Sequence, residues 1–122
     1  MSIYSSEVDD HGIDFVAESK KGFLKFQVKS ARKATSYIFM REKYFKIADD
    51  SLYLILFMLT DGEHPDMYII PTSAWRDSKG TAFVHHVYKD LKSDEEYGIN
   101  LSQKNMPFLQ PYKLENMIDS LI

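Results

Sequence analysis

Apolar and polar residues alternate from Ile13 to Glu18 and again from Phe23 to Ser30, with Ser19-Lys20-Lys21-Gly22 between them. Period-two alternation on both sides of a short polar turn predicts a β-hairpin with a four-residue loop. Ser36–Met40 and Tyr44–Ile47 read as short extended segments separated by charge, and a helix across Ile38–Ile47 fits the same residues. Leu52–Leu59 is continuously apolar and ends at Thr60-Asp61-Gly62-Glu63-His64-Pro65, which predicts a central strand covered on both faces. Asp66–Ile70 follows as a strand stopped by Pro71, and Thr72-Ser73-Ala74-Trp75 as the cap and opening of a short helix. Gly80–Val87 and Tyr97–Leu101 are further strand segments. After Pro111, the apolar residues Leu114, Met117, Ile118, Leu121 and Ile122 fall on one narrow helical stripe suited to packing on a sheet. Together these elements predict one α+β domain over residues 1–122. Its centre is a mixed, mostly antiparallel sheet with an N-terminal hairpin and a C-terminal helix.

Composition supports a packed core: 44% of the 122 residues are hydrophobic and 14% aromatic, which argues against disorder. The absence of cysteine excludes disulfides, thiolate metal sites and a catalytic thiol. Met1-Ser2-Ile3-Tyr4-Ser5-Ser6 has neither the basic nor the apolar region of a signal peptide, and the longest apolar run is too short to span a bilayer. A cytoplasmic protein without a membrane partner is therefore expected. The net charge of −3 hides an asymmetry. Between Lys20 and Lys46 stand nine basic residues and a single acidic one, Glu42, whereas the rest of the chain has six basic and seventeen acidic residues. Such a block is the footprint of a polyanion-binding face. A Lys-rich strand edge that discourages aggregation accounts for it equally well.

The hairpin carries the candidate chemistry. Leu24, Phe26 and Val28 share one face of the second strand, and Lys25, Gln27 and Lys29 share the other. If Glu18 pairs with Phe23, counting back along the ladder sets Asp14 across from Gln27, with Lys29 diagonally on the same face. A carboxylate and an amide oxygen are hard ligands suited to Mg²⁺, and a nearby lysine can orient a water or stabilise charge on a scissile phosphate. Polar Gln and Lys at this spacing also occur in many ordinary hairpins.

Asp10-His11-Gly12-Ile13-Asp14-Phe15 followed by Phe26-Gln27-Val28-Lys29-Ser30 resembles the core signature of the PD-(D/E)XK nuclease superfamily. The similarity is to bacterial members with Gln in place of the usual Glu of the E-x-K half-motif. Tyr68-Ile69-Ile70-Pro71-Thr72 looks like the downstream part of such domains. The resemblance implies a restriction-endonuclease-like core acting on DNA or RNA with Mg²⁺ (or Mn²⁺). In that frame Asp14 and Gln27 are metal ligands, Lys29 is the catalytic lysine, and Asp10 is an auxiliary ligand or a turn residue. Lys25, Arg32 and Lys33 would track phosphates. Domains of this kind begin with a helix that contributes a glutamate. Here thirteen residues precede Asp14 and Glu7 is the sole Glu among them, so most of that helix is lacking and Glu7 is the candidate extra ligand. A second copy of the chain or a partner protein would then cover the sheet face that the helix leaves open.

Other features carry less. Adjacent His85 and His86 point to opposite faces of a strand and cannot share a metal, and His11 and His64 sit in turn-like segments. No phosphate-loop, dinucleotide, zincin or nucleophile-elbow motif is present. Trp75 reads as a sheet-packing anchor. Tyr37, Phe39, Tyr44 and Phe45 can stack on bases or belong to a half-buried strand, and Asp94-Glu95-Glu96 reads as a solvated loop. The leading expectation is metal-dependent phosphodiester hydrolysis. The alternative is an inactive fold relative that binds nucleic acid or another protein.

Overall fold

A computed structural model describes residues 12–88 and 95–121, together with the backbone of residues 3–5. Glu7, Asp10, His11 and Ile122 lie outside the residues whose side chains are described. Eight strands form: β1 (Ile3–Ser5), β2 (Phe15–Ser19), β3 (Gly22–Arg32), β4 (Tyr37–Arg41), β5 (Leu52–Leu59), β6 (Asp66–Pro71), β7 (Phe83–His86) and β8 (Glu96–Asn100). Among the described residues there is one α-helix, α1 (Leu114–Leu121), and the shorter helical pieces are 3₁₀ turns.

The strands divide into two sheets rather than one. The larger has the order β1-β2-β3-β5-β6 and the smaller β4-β8-β7. Every pairing is antiparallel except β3 with β5. A parallel pair needs a long crossover, and here the chain between β3 and β5 supplies it by running through the other sheet as β4. The chain enters the smaller sheet again after β6, as β7 and β8.

The hairpin register is the expected one, with Glu18 opposite Phe23, but the connection is tighter than four residues because Ser19 pairs with Gly22. The Ser19 hydroxyl holds the turn, accepting from the Lys21 amide at 3.1 Å and donating to the Gly22 carbonyl at 2.9 Å. At the other end β1 adds a third strand to the hairpin, an element that the alternation along the chain did not predict.

Leu52–Leu59 is central as expected, lying between β3 and β6. Its side chains alternate into two cores. Leu52, Leu54 and Leu56 join Ile38, Met40, Phe45, Ile70, Trp75, Phe83 and Ile99 between the sheets. Tyr53 and Ile55 join Ala17, Leu24, Phe26, Ile69 and Leu121 on the opposite face, where Leu114 and Met117 of α1 also pack. Trp75 is the anchor foreseen. Its ring meets Phe45 and Phe83 edge-on, both at 5.1 Å, and its Nε1–H donates to the Gly98 carbonyl at 2.9 Å. Among the described residues no helix is long and apolar enough to cross a membrane.

Three local expectations change. Tyr44–Ile47 is not a strand, because Glu42–Tyr44 winds into a 3₁₀ turn directly after β4. Thr72 lies inside its short helix rather than capping it, and its hydroxyl donates to the Asp49 carbonyl at 2.8 Å. Glu96 is not in a solvated loop: it opens β8, is buried, and accepts a hydrogen bond from the Tyr37 hydroxyl at 2.5 Å.

Candidate functional site

The odd-numbered residues of β3 place the polar trio of the sequence beside the main core. Parallel pairing aligns Lys25 with Leu52, Gln27 with Leu54 and Lys29 with Leu56. Partners in register share a face, so these three side chains stand on the same face as the core leucines. β4 and its following turn stop short of covering them fully. What remains is a recess of about 340 Å³, lined among the described residues by Gly12, Gln27, Lys29, Phe39, Met40, Arg41 and Tyr44. A second recess of about 160 Å³ shares Tyr44 and is lined by Ile13, Lys25, Lys43, Lys46, Asp49 and Leu52. Five cations and one carboxylate therefore border the pair.

Gln27 is the most unusual member. It is only 8% exposed, yet its Oε1 has no hydrogen-bond partner among the described residues. A buried amide oxygen left unpaired costs about 1–3 kcal/mol, so most proteins avoid one. Gly12 presses against the same side chain. Its φ is +72°, and a Cβ there would lie 2.6 Å from Gln27 Nε2 and 3.0 Å from Tyr44 Cβ. Only glycine fits the G-I-D segment at that point.

Asp14 sits differently from the expectation drawn from the register. The ladder between β2 and β3 ends at Phe15 opposite Phe26. Beyond it the Asp14 amide donates to the Phe26 carbonyl at 2.8 Å, and Asp14 Oδ2 accepts from the Val28 amide at 2.7 Å. A strand amide points within the plane of its sheet, so this carboxylate lies at the edge of β3 and not above its face. The recess holding Gln27 and Lys29 is walled without it. Glu7, the expected third ligand, lies outside the described residues. Among those described, no group of three or more His, Asp or Glu residues is placed to hold a metal.

The cations differ in how far they are engaged. Lys25 pairs with Asp49, whose carboxylate also accepts from the Ser51 amide at 3.0 Å and hydroxyl at 2.6 Å. Burial alone would raise the Asp49 pKa, but these hydrogen bonds from Lys25 and Ser51 outweigh it and hold the group below its ordinary value. Lys46 pairs with Glu42 at 2.7 Å, and the Lys43 ammonium lies 5.1 Å from the centre of the Tyr44 ring. Lys29 enters no ion pair among the described residues. Arg32 and Lys33 stand apart from both recesses, at the far end of β3. Arg32 reaches the exposed Asp61 at 3.2 Å.

Sequence reasoning found the β3 face but missed its opposite wall. The basic block contained Arg41, Lys43 and Lys46, yet nothing in their spacing showed that a 3₁₀ turn would bring them over Lys25 and Lys29. Phe45, one of the candidate stacking residues, is fully buried, whereas Phe39 and Tyr44 do line the recess. His85 stacks on Tyr97 at 4.5 Å and pairs with Glu95 at 2.9 Å, while His86 meets the Tyr37 ring, so the two histidines have separate partners as expected. Comparison with family models, with curated proteins and with solved structures finds no match to this chain.

Proposed function

We propose that this chain holds the phosphate backbone of a nucleic acid along the Lys25–Gln27–Lys29 face of β3 and hydrolyses it there, as the resemblance to PD-(D/E)XK nucleases implies. One observation carries the reading: a buried, unpartnered Gln27 oxygen stands beside Lys29 in a recess bordered by cations. Oxygen donors of this type suit a hard divalent ion: among the described residues Gln27 Oε1 has no hydrogen-bond partner, and Asp14, at the edge of β3, keeps one carboxylate oxygen beyond its bond to Val28. Asp14 and Gln27 would hold Mg²⁺ or Mn²⁺, with Glu7 as a further candidate. Bound there, such an ion would polarise a phosphate oxygen and acidify a water. Lys29 has the complementary task of stabilising charge that develops on the phosphoryl oxygens. Lys25, Arg41, Lys43 and Lys46 would hold flanking phosphates, an attraction that weakens steeply with salt.

A second reading, binding without cleavage, is favoured by the Asp14 carboxylate, which spends one oxygen on the Val28 amide and does not line the recess. Plasmid, linear and single-stranded substrates incubated with Mg²⁺ or Mn²⁺, beside Asp14→Asn and Lys29→Ala, separate the two. Cleavage lost in both variants supports hydrolysis. Salt-dependent binding with no cleavage by the wild type supports the second reading. Neither cleavage nor binding refutes both.

A further inference from the structure

We propose, on the basis of that reading, that the nucleic acid taken by this groove is single-stranded, with an unstacked base laid on Phe39 while Lys29 and Arg41 hold its phosphates. Three observations converge on this. The first is scale. A recess of about 340 Å³ lies at the small end of the range for pockets that enclose a single small molecule. It can admit one nucleotide. A duplex keeps its bases stacked inside and would offer the recess only backbone.

The second is the character of the walls. Phe39, Met40 and Arg41 are consecutive in β4, and all three line the recess, so it runs along that strand, which is an outer strand of the smaller sheet among the described residues. The Phe39 ring is 43% exposed and is braced by Tyr37, stacked 6.2 Å away at 16°. Tyr44 stands between the two recesses with Lys43 near its ring. Aromatic faces interleaved with cations are the composition of single-strand channels, where bases stack on rings and phosphates follow the charges. An isolated exposed phenylalanine needs no explanation. One braced at the mouth of a cationic recess has a use.

The third is the narrowness of the positive strip. Beside Arg41 the chain presents Glu42, whose carboxylate pairs with Lys46 at 2.7 Å and whose amide donates to the carbonyl of Glu95, itself exposed and paired with His85 at 2.9 Å. A wide ligand lying across the groove would meet these carboxylates, whereas a single strand running along it would not.

Fluorescence anisotropy in EDTA tests the inference, using labelled oligothymidylate, the matching duplex and an abasic strand of equal length. The single strand should bind at least about tenfold more tightly than the duplex. Phe39→Ala should weaken oligothymidylate binding by about tenfold, leave the abasic strand unaffected, and be rescued by Phe39→Trp. Equal affinity for duplex and single strand, or for abasic and base-bearing strands, overturns the inference while leaving the nucleic-acid reading intact. Failure of all three probes to bind overturns that reading as well.

Discussion

Asp14 is assigned two tasks that can be separated by substitution. Its Oδ2 accepts the Val28 amide at 2.7 Å where the hairpin ladder ends, and the proposed chemistry asks the same carboxylate to hold a metal ion. A hydrogen bond to a charged acceptor contributes about 1.5–3 kcal/mol, and the exposure of Asp14 puts this one at the low end, about 1.5 kcal/mol. For a domain of this length that corresponds to a Tm lower by about 5 °C in Asp14→Ala. Asp14→Asn keeps an acceptor of the same reach, and a neutral bond of roughly half the strength limits its loss to about 0.7 kcal/mol. Trp75, the single tryptophan, is buried and reports unfolding in urea by fluorescence. The two substitutions should thus differ in stability and agree in activity, both abolishing metal-dependent cleavage. An Asp14→Asn variant that cleaves at the wild-type rate refutes the metal role and leaves a carboxylate that only terminates a ladder. An Asp14→Ala variant with an unchanged urea midpoint refutes the structural role instead.

The remaining predictions concern the second sheet and the response to pH. A Cβ on Gly98 would stand 2.2 Å from the Tyr37 hydroxyl, so Gly98→Ala should lose about 1–3 kcal/mol in urea unfolding. The loss should largely vanish in a Tyr37→Ala background, and strict additivity would show that the ring is not the obstacle. Burial pushes the pKa of Tyr53, Tyr68 and Tyr97 above 10.0, and burial together with the hydrogen bond to Glu96 does the same more strongly for Tyr37. The unfolded chain then ionises these groups first, so stability should fall as pH rises above about 10. A urea midpoint that does not change as pH rises from about 9 through about 11 would contradict this. Asp49, held below 3.8, works in the opposite sense: its contribution is present above that value and is lost as pH falls through the folded-state pKa. Asp49→Asn should flatten the acid limb of the stability profile below about pH 4, and an unaltered limb would count against the Lys25–Asp49 pair.

What was legible in the chain followed from periods and turns. Alternation across Ser19–Gly22 specified the hairpin and its register, because a slip by one residue would have turned Leu24 and Phe26 away from the core they occupy. The unbroken run Leu52–Leu59 specified a strand buried on both faces, since only such a strand has no side to leave polar. What was not legible depended on contacts distant in sequence. Glu42–Tyr44 has neither period, and its 3₁₀ form follows from the need to return the chain from β4 to β5. Glu96 looked solvated in a run of acids, and a hydrogen bond from the Tyr37 hydroxyl, 59 positions away, helps to make its burial tolerable. The division of the strands into two sheets was hidden for the same reason. Periodicity says which face of a strand is apolar, not which other strand it meets.

The polar trio on β3 is the place where stability and the proposed function oppose each other. Gln27 stands in register with Leu54, on the face whose leucines build the main core, and its buried oxygen has no partner among the described residues. A sequence selected for stability alone would put an aliphatic residue there. Gln27→Leu replaces the amide with an apolar group of similar size, removes the unpaired oxygen and adds apolar burial against neighbours such as Met40. The expected result is a gain of about 1 kcal/mol, read as a Tm higher by about 4 °C, together with loss of metal-dependent cleavage. A neighbouring core position would behave oppositely: Leu54→Ala should lose about 2–5 kcal/mol with no specific effect on the groove. If Gln27→Leu destabilises the fold instead, the amide is satisfied in solution and belongs to the structure, and the oxygen that carries the functional reading is not available to a ligand. If the variant is more stable and still cleaves, Gln27 is no ligand, and the chemistry rests on Asp14 and Lys29 alone.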